Sequence, residues 1–335
     1  MKIYSERGVV MVIAVDAMGG DNAPSAVVAG SALAVKEMAI KVMLVGPEDI
    51  LRAELAKVKV PEGAISILHA PDVIGTEEVP TTAIRRKKES SIVVGLKAVK
   101  EGVADAFVSA GSTGALLTGA TVYVGRNEGI ERPALGAMIP NRKSFTLLID
   151  CGANVDCKPS YLLQFAKIGS DYMSKVRELK NPKVGLINIG TEAEKGNALV
   201  KETYELLTKS STEMGINFVG NIEAREIPLG AVDVAVCDAF VGNVLLKYTE
   251  GFAKGLMGTV KDELMADPIS KIGALVSKGA FTRLKKRFDY DDIGGAPFLG
   301  LKNLVVKAHG SSNERAICGA IRQCKLFIEG GNYGV

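Results

Sequence analysis

Residues 9–24 read VVMVIAVDAMGGDNAP, and this stretch decides the class of fold. The apolar run 9–15 is mostly β-branched and ends at Asp16, a pattern typical of a strand that is buried on both faces. Two glycines then turn the chain, and Pro24 suits the first turn of a following helix. The stretch therefore predicts a buried strand, a glycine turn and a helix.

The same unit recurs along the chain. Apolar runs of strand length, each followed by a segment with helical periodicity, lie at 41–45, 104–109, 144–149, 184–189 and 232–236. This repetition predicts an α/β fold with a mostly parallel sheet and helices on both faces. Because the sequence contains no linker, internal repeat or low-complexity tract, we expect one catalytic unit over residues 1–335, with two lobes around a cleft.

In sheets of this kind, ligands bind beyond the carboxyl ends of the strands. Five of the predicted strands end in a polar residue ahead of a turn that contains glycine: Asp16, Ser109, Asp150, Asn188 and Asp238. These strand ends are where we expect the functional site.

The composition argues against several classes of protein. Of the 335 residues, 47% are hydrophobic and 24% are charged, the net charge is +3, and Trp is absent. So small a charge with so few aromatic residues argues against nucleic acid as a partner. The sequence has no apolar run of the roughly eighteen residues that span a membrane, and its first residues lack the apolar core of a signal peptide. We therefore expect a cytoplasmic protein.

The cysteines and histidines do not form a metal-binding pattern. The only histidines are His69 and His309, and the five cysteines form no CxxC pair: Cys151, Cys157, Cys237, Cys318 and Cys324. A zinc site and a disulfide framework are both disfavoured, and buried free thiols are the better interpretation. Neither a metal nor a cofactor is expected.

The clearest candidate anion site is SAGSTGALLTGA at residues 109–120. Gly111 and Gly114 allow close backbone approach, and a helix is predicted to start at Ser112 or Thr113. Backbone amides, the positive end of the helix and two hydroxyls would then face a ligand. A well-capped helix without a ligand is the alternative. The turn is not a P-loop, because no lysine follows the second of these glycines.

Polar residues at the other turns extend this candidate site. The candidates for phosphate or substrate binding are Asp16, Gly19, Gly20, Ser112, Thr113, Gly114, Asp150, Lys158, Asn197, Asp238, Asn243, Ser311 and Ser312. Ser311 and Ser312 follow a glycine and open a helix, so they could form a second nest of amides. Loop capping and solvent exposure would favour the same residue types, so each of these positions also has a purely structural explanation.

Three further residues are candidates for catalysis. Asn154 follows a buried strand and is a potential donor to a carbonyl or phosphate oxygen, and Lys195 stands beside a glycine in NIGTEAEKGN. His309 precedes a glycine turn instead of lying on an apolar face, which favours a place in the site over a role in the core. A single histidine nevertheless more often has a structural role.

Seven motifs together resemble a known family. In order along the chain they are DAMGGD, SAGSTGA, DCGAN, NIGTEAEKGN, GNVLLK, GGAPFLG and HGSS, and the resemblance covers residues 12–327. Their order is similar to that in the bacterial phosphate acyltransferases, the acyl-acyl carrier protein:phosphate transacylases of phospholipid synthesis. Ser112 stands where Asn is usual in that family, and Ala239 where Gly is usual. The family pattern begins near the first strand, so Met11 is an alternative start to Met1.

The resemblance implies an activity and its partners. The protein would transfer a fatty acyl group from acyl carrier protein to inorganic phosphate and form acyl phosphate. The resemblance also implies a homodimer, an isocitrate/isopropylmalate dehydrogenase-like fold related to phosphotransacetylase, and a partnership with the membrane glycerol-3-phosphate acyltransferase.

Such a reaction needs positioning more than a strong base. Phosphate is already nucleophilic at neutral pH, so it must be held in line with the thioester carbonyl while donors stabilise the oxyanion. We predict direct attack, with an acyl-enzyme on Cys151 or Cys157 as the alternative. The competing functions are a dehydrogenase of the same broad fold and a non-catalytic module that binds phosphate or an acyl chain.

Two segments are candidate interaction surfaces. Acyl carrier protein is acidic, and the basic run Arg85, Arg86, Lys87 and Lys88 is a candidate docking site for it, with a solvated face as the alternative.

The other segment is residues 268–290, where Gly279 favours two short helices that form a protruding hairpin. Its apolar tip would include Leu275, Val276 and Phe281. Apolar anchors beside basic residues suit peripheral contact with the inner face of the cell membrane, and packing within a dimer is the alternative.

Overall fold

The computed structural model describes residues 10–287 and 294–330. Residues 1–9, which bear on the choice of start, and residues 288–290 of the candidate hairpin lie outside the described residues. The strands are β1 (Val12–Asp16), β2 (Lys41–Gly46), β3 (Ile65–His69), β4 (Ala106–Ser109), β5 (Ala134–Pro140), β6 (Phe145–Ile149), β7 (Lys183–Asn188), β8 (Asn217–Glu223), β9 (Val234–Val236), β10 (Ala296–Leu299) and β11 (Leu304–Lys307).

The α-helices alternate with these strands for most of the chain. They are α1 (Ser25–Glu37), α2 (Glu48–Leu55), α3 (Pro80–Arg86), α4 (Ser91–Lys100), α5 (Thr113–Gly119), α6 (Pro159–Val176), α7 (Ala198–Ser210), α8 (Ala239–Leu264), α9 (Pro268–Val276), α10 (Lys278–Arg287) and α11 (Glu314–Glu329). Helix α5 continues directly into a π-helical turn, Ala120–Val124. Within the described residues, no helix is both long enough and apolar enough to cross a membrane.

The strands form one sheet in the order β3-β2-β1-β4-β11-β10-β5-β6-β9-β7-β8. Strands β1 to β4 and β11 are parallel to one another, and we call them the β1 group. Strands β6 to β9 are also mutually parallel and form the β6 group. Between the groups, β10 and β5 make three antiparallel pairings in succession. The two groups therefore point in opposite directions. We call the row of carboxyl ends of each group its carboxyl edge, which is distinct from the outermost strands of the sheet.

Apolar layers cover both faces of the sheet. Alternate residues of β1 enter different layers, with Ile13 and Val15 in one and Ala14 in the other. This alternation follows from the two-residue period of a strand, and it explains why the run 9–15 is apolar throughout. Gly95 of α4 lets its helix approach the sheet, because a Cβ there would lie 2.1 Å from the ring of Phe107.

The predicted fold class is confirmed as α/β with a mostly parallel sheet. The closer likeness to isocitrate and isopropylmalate dehydrogenases stays a prediction, as does the division into two lobes around a cleft. Residues 268–287 form two short helices, as expected, but the break falls at Ser277, and Gly279, which was expected to separate them, lies inside α10. Sequence analysis did not predict β3, β5, β8, β10 or β11, so it missed the strands that reverse the sheet.

Candidate functional site

A buried carboxylate ties together the turns that follow β1 and β4. Ser109 Oγ donates to Asp16 Oδ2 at 2.6 Å and accepts from Gly111 N at 3.1 Å, and Ser91 also hydrogen bonds to Asp16. Gly19 must be a glycine, because a Cβ would lie 2.6 Å from the backbone nitrogen of Gly111. These contacts hold the DAMGGD and SAGSTGA turns in van der Waals contact.

The environment of Asp16 changes its acidity. Burial raises the pKa of its carboxyl above the ordinary value, and four groups partly offset this effect: the hydroxyls of Ser109 and Ser91, the backbone N–H of Met18 and the charge of Lys307. A cation therefore lies close to this carboxylate, although neither sequence motif contains one.

The helix start in SAGSTGA is where sequence analysis placed it. Helix α5 begins at Thr113, and Ser112 is its N-cap, with Oγ accepting from Ala115 N at 3.4 Å. Thr113 and Gly114 are half-buried. Ser112 therefore has a capping role, and the side chain of Thr113 makes no hydrogen bond within the described residues.

The cation beside Asp16 is Lys307, the last residue of β11. Its ammonium group donates to Ala110 O at 3.3 Å and also to Ala308 O. Burial and the neighbouring charge of Lys247 lower the pKa of Lys307 to about 8, against the attraction of Asp16 and Asp21. Sequence analysis missed this lysine because it belongs to a strand that was not predicted.

His309 lies at the centre of a second set of contacts. Its Nε2 contacts Lys247 Nζ and lies 3.6 Å from Glu250 Oε2. On the other side of the ring, Ser311 N donates to Nδ1 at 3.3 Å, and Ser311 Oγ lies 2.9 Å from the same nitrogen. A backbone N–H and an ammonium group can each only donate, so the contact of Ser311 N with Nδ1 and the contact of Lys247 Nζ with Nε2 call for opposite tautomers of the neutral ring.

Helix α8 brings Lys247 and Glu250 to His309. The helix starts after β9, with Ala239 and Gly242 buried, and Lys247 lies about 12 Å along its axis from Ala239. Lys247 Nζ is 3.5 Å from Glu250 Oε2. Burial alone would raise the pKa of Glu250, but its hydrogen bond to His309 and the charge of Lys247 outweigh burial and lower it. Glu250 is therefore an anion beside the ring.

The turn after β6 is organised by a different carboxylate. Asp150 Oδ1 accepts from the backbone nitrogens of Leu135, Gly152 and Ala153 at 3.0–3.1 Å. Its Oδ2 accepts from both the backbone and the side-chain nitrogen of Asn154, at 2.8 and 2.7 Å. Burial raises the pKa of Asp150, and these N–H donors oppose the rise. Asp150 thus orders a loop through five hydrogen bonds.

Asn154 is fully engaged in that loop. Besides its bond to Asp150, Nδ2 donates to Pro133 O at 2.8 Å, and the backbone oxygen accepts from Ala239 N at 2.9 Å. Its side chain is only 8% exposed. Both amide hydrogens therefore have partners, so donation to a substrate would require one of these bonds to break. The predicted donor role stays a prediction.

The remaining predicted residues of the β6 group cap helices or are exposed to solvent. Asp238 Oδ1 accepts from Val241 N at 2.9 Å, and Asn197 Oδ1 from Val200 N at 3.0 Å, so each is an N-cap. Lys158, Lys195 and Asn243 are exposed. In the part of the chain that is described, the Lys195 ammonium group makes no hydrogen bond or ion pair.

The structure thus divides the predicted site residues between the two carboxyl edges. At the carboxyl edge of the β1 group lie Asp16, Gly19, Gly20, Ser112, Thr113, Gly114, His309, Ser311 and Ser312. The turns and helix starts that follow the β6 group hold Asp150, Asn154, Lys158, Lys195, Asn197, Asp238 and Asn243. The first set gains Ser91, Lys307, Lys247 and Glu250, of which only Lys247 lies in one of the motifs of the sequence analysis, GNVLLK.

The cysteines are poor nucleophiles in this environment. All five are free thiols, and burial raises the pKa of Cys151 and Cys237 well above the ordinary value. Burial and the charge of Asp150 together raise the pKa of Cys157 to about 12. A thiol with so high a pKa holds its proton at neutral pH, which disfavours an acyl-enzyme on cysteine.

In the basic run of residues 85–88, which is the predicted docking site for acyl carrier protein, one lysine is already bound to other residues. In the basic run, Arg85, Arg86 and Lys88 are exposed, whereas Lys87 Nζ binds Glu78 Oε1 and Val73 O at 2.7 and 2.8 Å.

At the predicted membrane tip, Leu275 and Val276 are 72% and 83% exposed, and Phe281 is half-buried. The apolar tip is therefore present on the surface, while its membrane role stays a prediction.

Fold and site together define an α/β enzyme with a polar, lysine-containing centre at the carboxyl edge of a parallel strand group. Comparison with known proteins is more specific. A family model described as "Fatty acid synthesis protein" matches residues 11–332. The phosphate acyltransferase of Clostridium beijerinckii is 50% identical over 321 residues, covering 95% of this chain and 96% of the relative. That of Clostridium botulinum is 52% identical with the same coverage. The chain belongs to this fatty acid synthesis protein family and is an acyltransferase.

Solved structures show the same fold at low sequence identity. A phosphotransacetylase from Streptococcus pyogenes has a TM-score of 0.63 at 19% identity, covering 98% of this chain and 100% of its own. A 4-hydroxythreonine-4-phosphate dehydrogenase from Klebsiella pneumoniae has a TM-score of 0.54 at 12% identity, covering 95% and 99%. The predicted resemblance to phosphate acyltransferases is confirmed by the curated relatives, and the solved structures support the fold alone.

Proposed function

We propose that this protein transfers a fatty acyl group from acyl carrier protein to inorganic phosphate and so forms acyl phosphate for phospholipid synthesis. The observation that carries the proposal is the convergence of Lys307, Lys247 and His309 beside the SAGSTGA turn. The names of the curated relatives support phosphate as the acceptor.

The electrostatics favour an anion at this point. The ammonium group of Lys307 is half-buried, donates only to two backbone carbonyls, and makes no ion pair among the described residues. Lys247 adds a second positive charge near it. The Ser312 hydroxyl is buried without a hydrogen-bond partner in the same part of the chain. A dianion between the SAGSTGA and HGSS turns would pair with both ammonium groups and relieve their repulsion.

The chemistry follows from this placement. Held by Lys307 and Lys247, hydrogen phosphate attacks the thioester carbonyl carbon and forms a tetrahedral oxyanion. The ammonium group of Lys247 stabilises this oxyanion, and His309, which contacts Lys247, Glu250 and Ser311, lines the same site. The C–S bond then breaks, and the proton that phosphate brought passes to the departing sulfur. The products are acyl phosphate and the free thiol of the carrier, without an acyl-enzyme.

Four of the predicted site residues in the turns and helix starts that follow the β6 group keep their proposed roles. Asn154 and Lys195 remain candidate catalytic residues, and Lys158 and Asn243 remain candidate binding residues. The turn after β6 is not remote from the centre at His309, because the charges of Lys247 and Glu250 act on Cys151 in that turn.

The exposed face of α8 supports the predicted homodimer. Five large apolar residues recur every four positions along the helix, and each is 50–69% exposed: Phe240, Val244, Tyr248, Phe252 and Leu256. An apolar stripe of this length on a helix is typical of a surface that another protein covers. We propose that a second copy covers it. We further propose that Leu275 and Val276 contact the membrane that holds the glycerol-3-phosphate acyltransferase.

The decisive experiment follows the free thiol. Purified protein is incubated with acylated carrier protein, with and without inorganic phosphate, and carrier thiol is measured with a colorimetric thiol reagent. The proposal expects thiol release only with phosphate, and one acyl phosphate, trapped as its hydroxamate, for each thiol. Equal release without phosphate would indicate a hydrolase, and no release in either case would contradict the proposal.

A further inference from the structure

A groove lies beside the start of α11, the helix that follows the HGSS turn. It is bounded by α1, by the chain that follows α2 and by the first turn of α11, and its volume is about 360 Å³. The floor is apolar and includes Ala32, Leu33 and Val58. The rim carries three cations, Lys36, Lys59 and Arg315, against one carboxylate, Glu314.

These rim cations are free to bind a partner. All three are exposed, and none makes a hydrogen bond or an ion pair within residues 10–287 and 294–330. Nearby lysines and arginines behave differently, since Arg52 pairs with Glu48 and Lys57 with Glu54. An apolar floor with unpaired positive charges around it complements an acidic, amphipathic surface.

The groove is firmly connected to the candidate site. Helix α11 begins directly after HGSS, and Asn22 Nδ2 donates to the backbone oxygens of Ser311 and Ser312 at 3.2 and 3.3 Å. Gly30 allows α1 to pack on the start of α11, because a Cβ there would lie 2.6 Å from Glu314 O. A partner seated in the groove would therefore sit next to the turn that holds His309.

We propose that this groove docks the acidic protein that carries the acyl thioester, an inference that rests on the proposed function. The partner would place a helix across the groove, with an apolar side chain on the floor and carboxylates against Lys36, Lys59 and Arg315. Its thioester arm would then enter beside the HGSS turn. This position competes with the basic run of residues 85–88, in which Lys87 is already bound to Glu78.

The test separates docking from chemistry. The variant Lys36→Glu/Lys59→Glu reverses two rim charges and leaves every candidate site residue intact. The matched control, Lys201→Glu/Lys209→Glu, makes the same change of net charge on the exposed face of α7. A second variant, Arg85→Glu/Arg86→Glu, tests the competing surface. Thermal unfolding identifies any variant that fails to fold, in which case Lys36→Gln/Lys59→Gln replaces the groove variant.

Two readouts are measured at low and high salt: the Kd of the carrier bearing its unacylated arm, and turnover with acyl-carrier and acyl-pantetheine. The groove variant should raise Kd, and KM for the acyl-carrier, about tenfold at low salt and less at high salt. Turnover of acyl-pantetheine by the groove variant should stay unchanged. Lys201→Glu/Lys209→Glu and Arg85→Glu/Arg86→Glu should bind and turn over the acyl-carrier like the unaltered protein. If the groove variant binds the carrier with unchanged Kd, or if only Arg85→Glu/Arg86→Glu weakens carrier binding, the docking proposal is overturned. Normal carrier binding without phosphate-dependent thiol release would instead count against the proposed function.

Discussion

His309 Nε2 contacts Lys247 Nζ, which joins the turn after β11 to helix α8 across sixty-two residues of sequence. The contact exists because Lys247 lies in the third turn of α8, the helix that follows β9 of the β6 group. It brings a cation from one strand group to the carboxyl edge of the other, beside Lys307. The two lysines and the histidine then form a centre that neither strand group contains alone.

The first prediction concerns the charge of Lys307. The variant Lys307→Met keeps most of the side-chain volume and removes the ammonium group. Loss of one charged hydrogen bond to phosphate should raise KM for phosphate roughly ten- to hundredfold. Initial rates over a wide range of phosphate concentration measure the effect. Lys302→Met, which removes an exposed lysine before the same strand, is the control and should behave like the unaltered protein. An unchanged phosphate KM in Lys307→Met would place the anion elsewhere.

The second prediction concerns pH. With its pKa lowered to about 8, Lys307 loses its proton in the free enzyme as the pH rises through that value. The positive charge that holds phosphate is present below this pH and absent above it. The value of kcat/KM for phosphate should therefore fall above pH about 8, since this parameter reports groups of the free enzyme. In Lys307→Arg the guanidinium stays charged, so the fall should move to higher pH. If kcat/KM for phosphate falls at the same pH in both proteins, Lys307 is not the group that causes the fall.

The third prediction concerns stability. Asp150 accepts five hydrogen bonds at the turn after β6. Asp150→Asn replaces one acceptor oxygen by an NH2 group that would face N–H donors. The free energy of unfolding should fall by about 1–3 kcal/mol, as expected for buried donors left without an acceptor. Urea denaturation measures the loss. Asp171→Asn, which breaks only the partly exposed pair with Lys167, should cost about 1 kcal/mol or less. Equal stability of the two variants would contradict this role of Asp150.

The fourth prediction concerns the cysteines. Because the pKa of Cys157 is raised to about 12, its thiolate is scarce at neutral pH. Alkylation of Cys157 by iodoacetamide at pH 8 should be about a hundredfold slower in the folded protein than in urea. Cys157→Ala and Cys151→Ala should both keep the phosphate-dependent release of thiol. A thioester adduct on either cysteine, detected by mass spectrometry after reaction with acylated carrier, would establish the acyl-enzyme route instead.

The fifth prediction separates the two exposed apolar surfaces. Phe252→Glu places a charge in the stripe of α8 and should convert the homodimer to monomer, as measured by sedimentation velocity. Leu275→Glu/Val276→Glu should leave the dimer and thiol release intact but abolish cosedimentation with anionic vesicles. If the tip variant loses its dimer instead, the hairpin is a subunit interface. If the unaltered protein does not bind such vesicles, the membrane proposal fails.

Local sequence determined the repeating part of this fold. Unbroken apolar runs that end in a polar residue predicted β1, β4 and β6, and Ser112 marked the start of α5. These features depend on side-chain period and on capping within a few residues of one another, so they can be recognised without knowing the rest of the chain. The motifs that resemble phosphate acyltransferases were visible for the same reason.

Tertiary structure decided which of the predicted residues meet. The predictions treated all strand ends as one edge, but β5 and β10 reverse the sheet, so Asn154 and Lys195 follow the β6 group and His309 follows the β1 group. Strand direction depends on pairings between residues that are far apart in the chain, and a short window of sequence does not contain them. Lys307 and Lys247 become neighbours only after these pairings form. Lys247 belongs to the GNVLLK motif, but its place beside Lys307 follows from the fold.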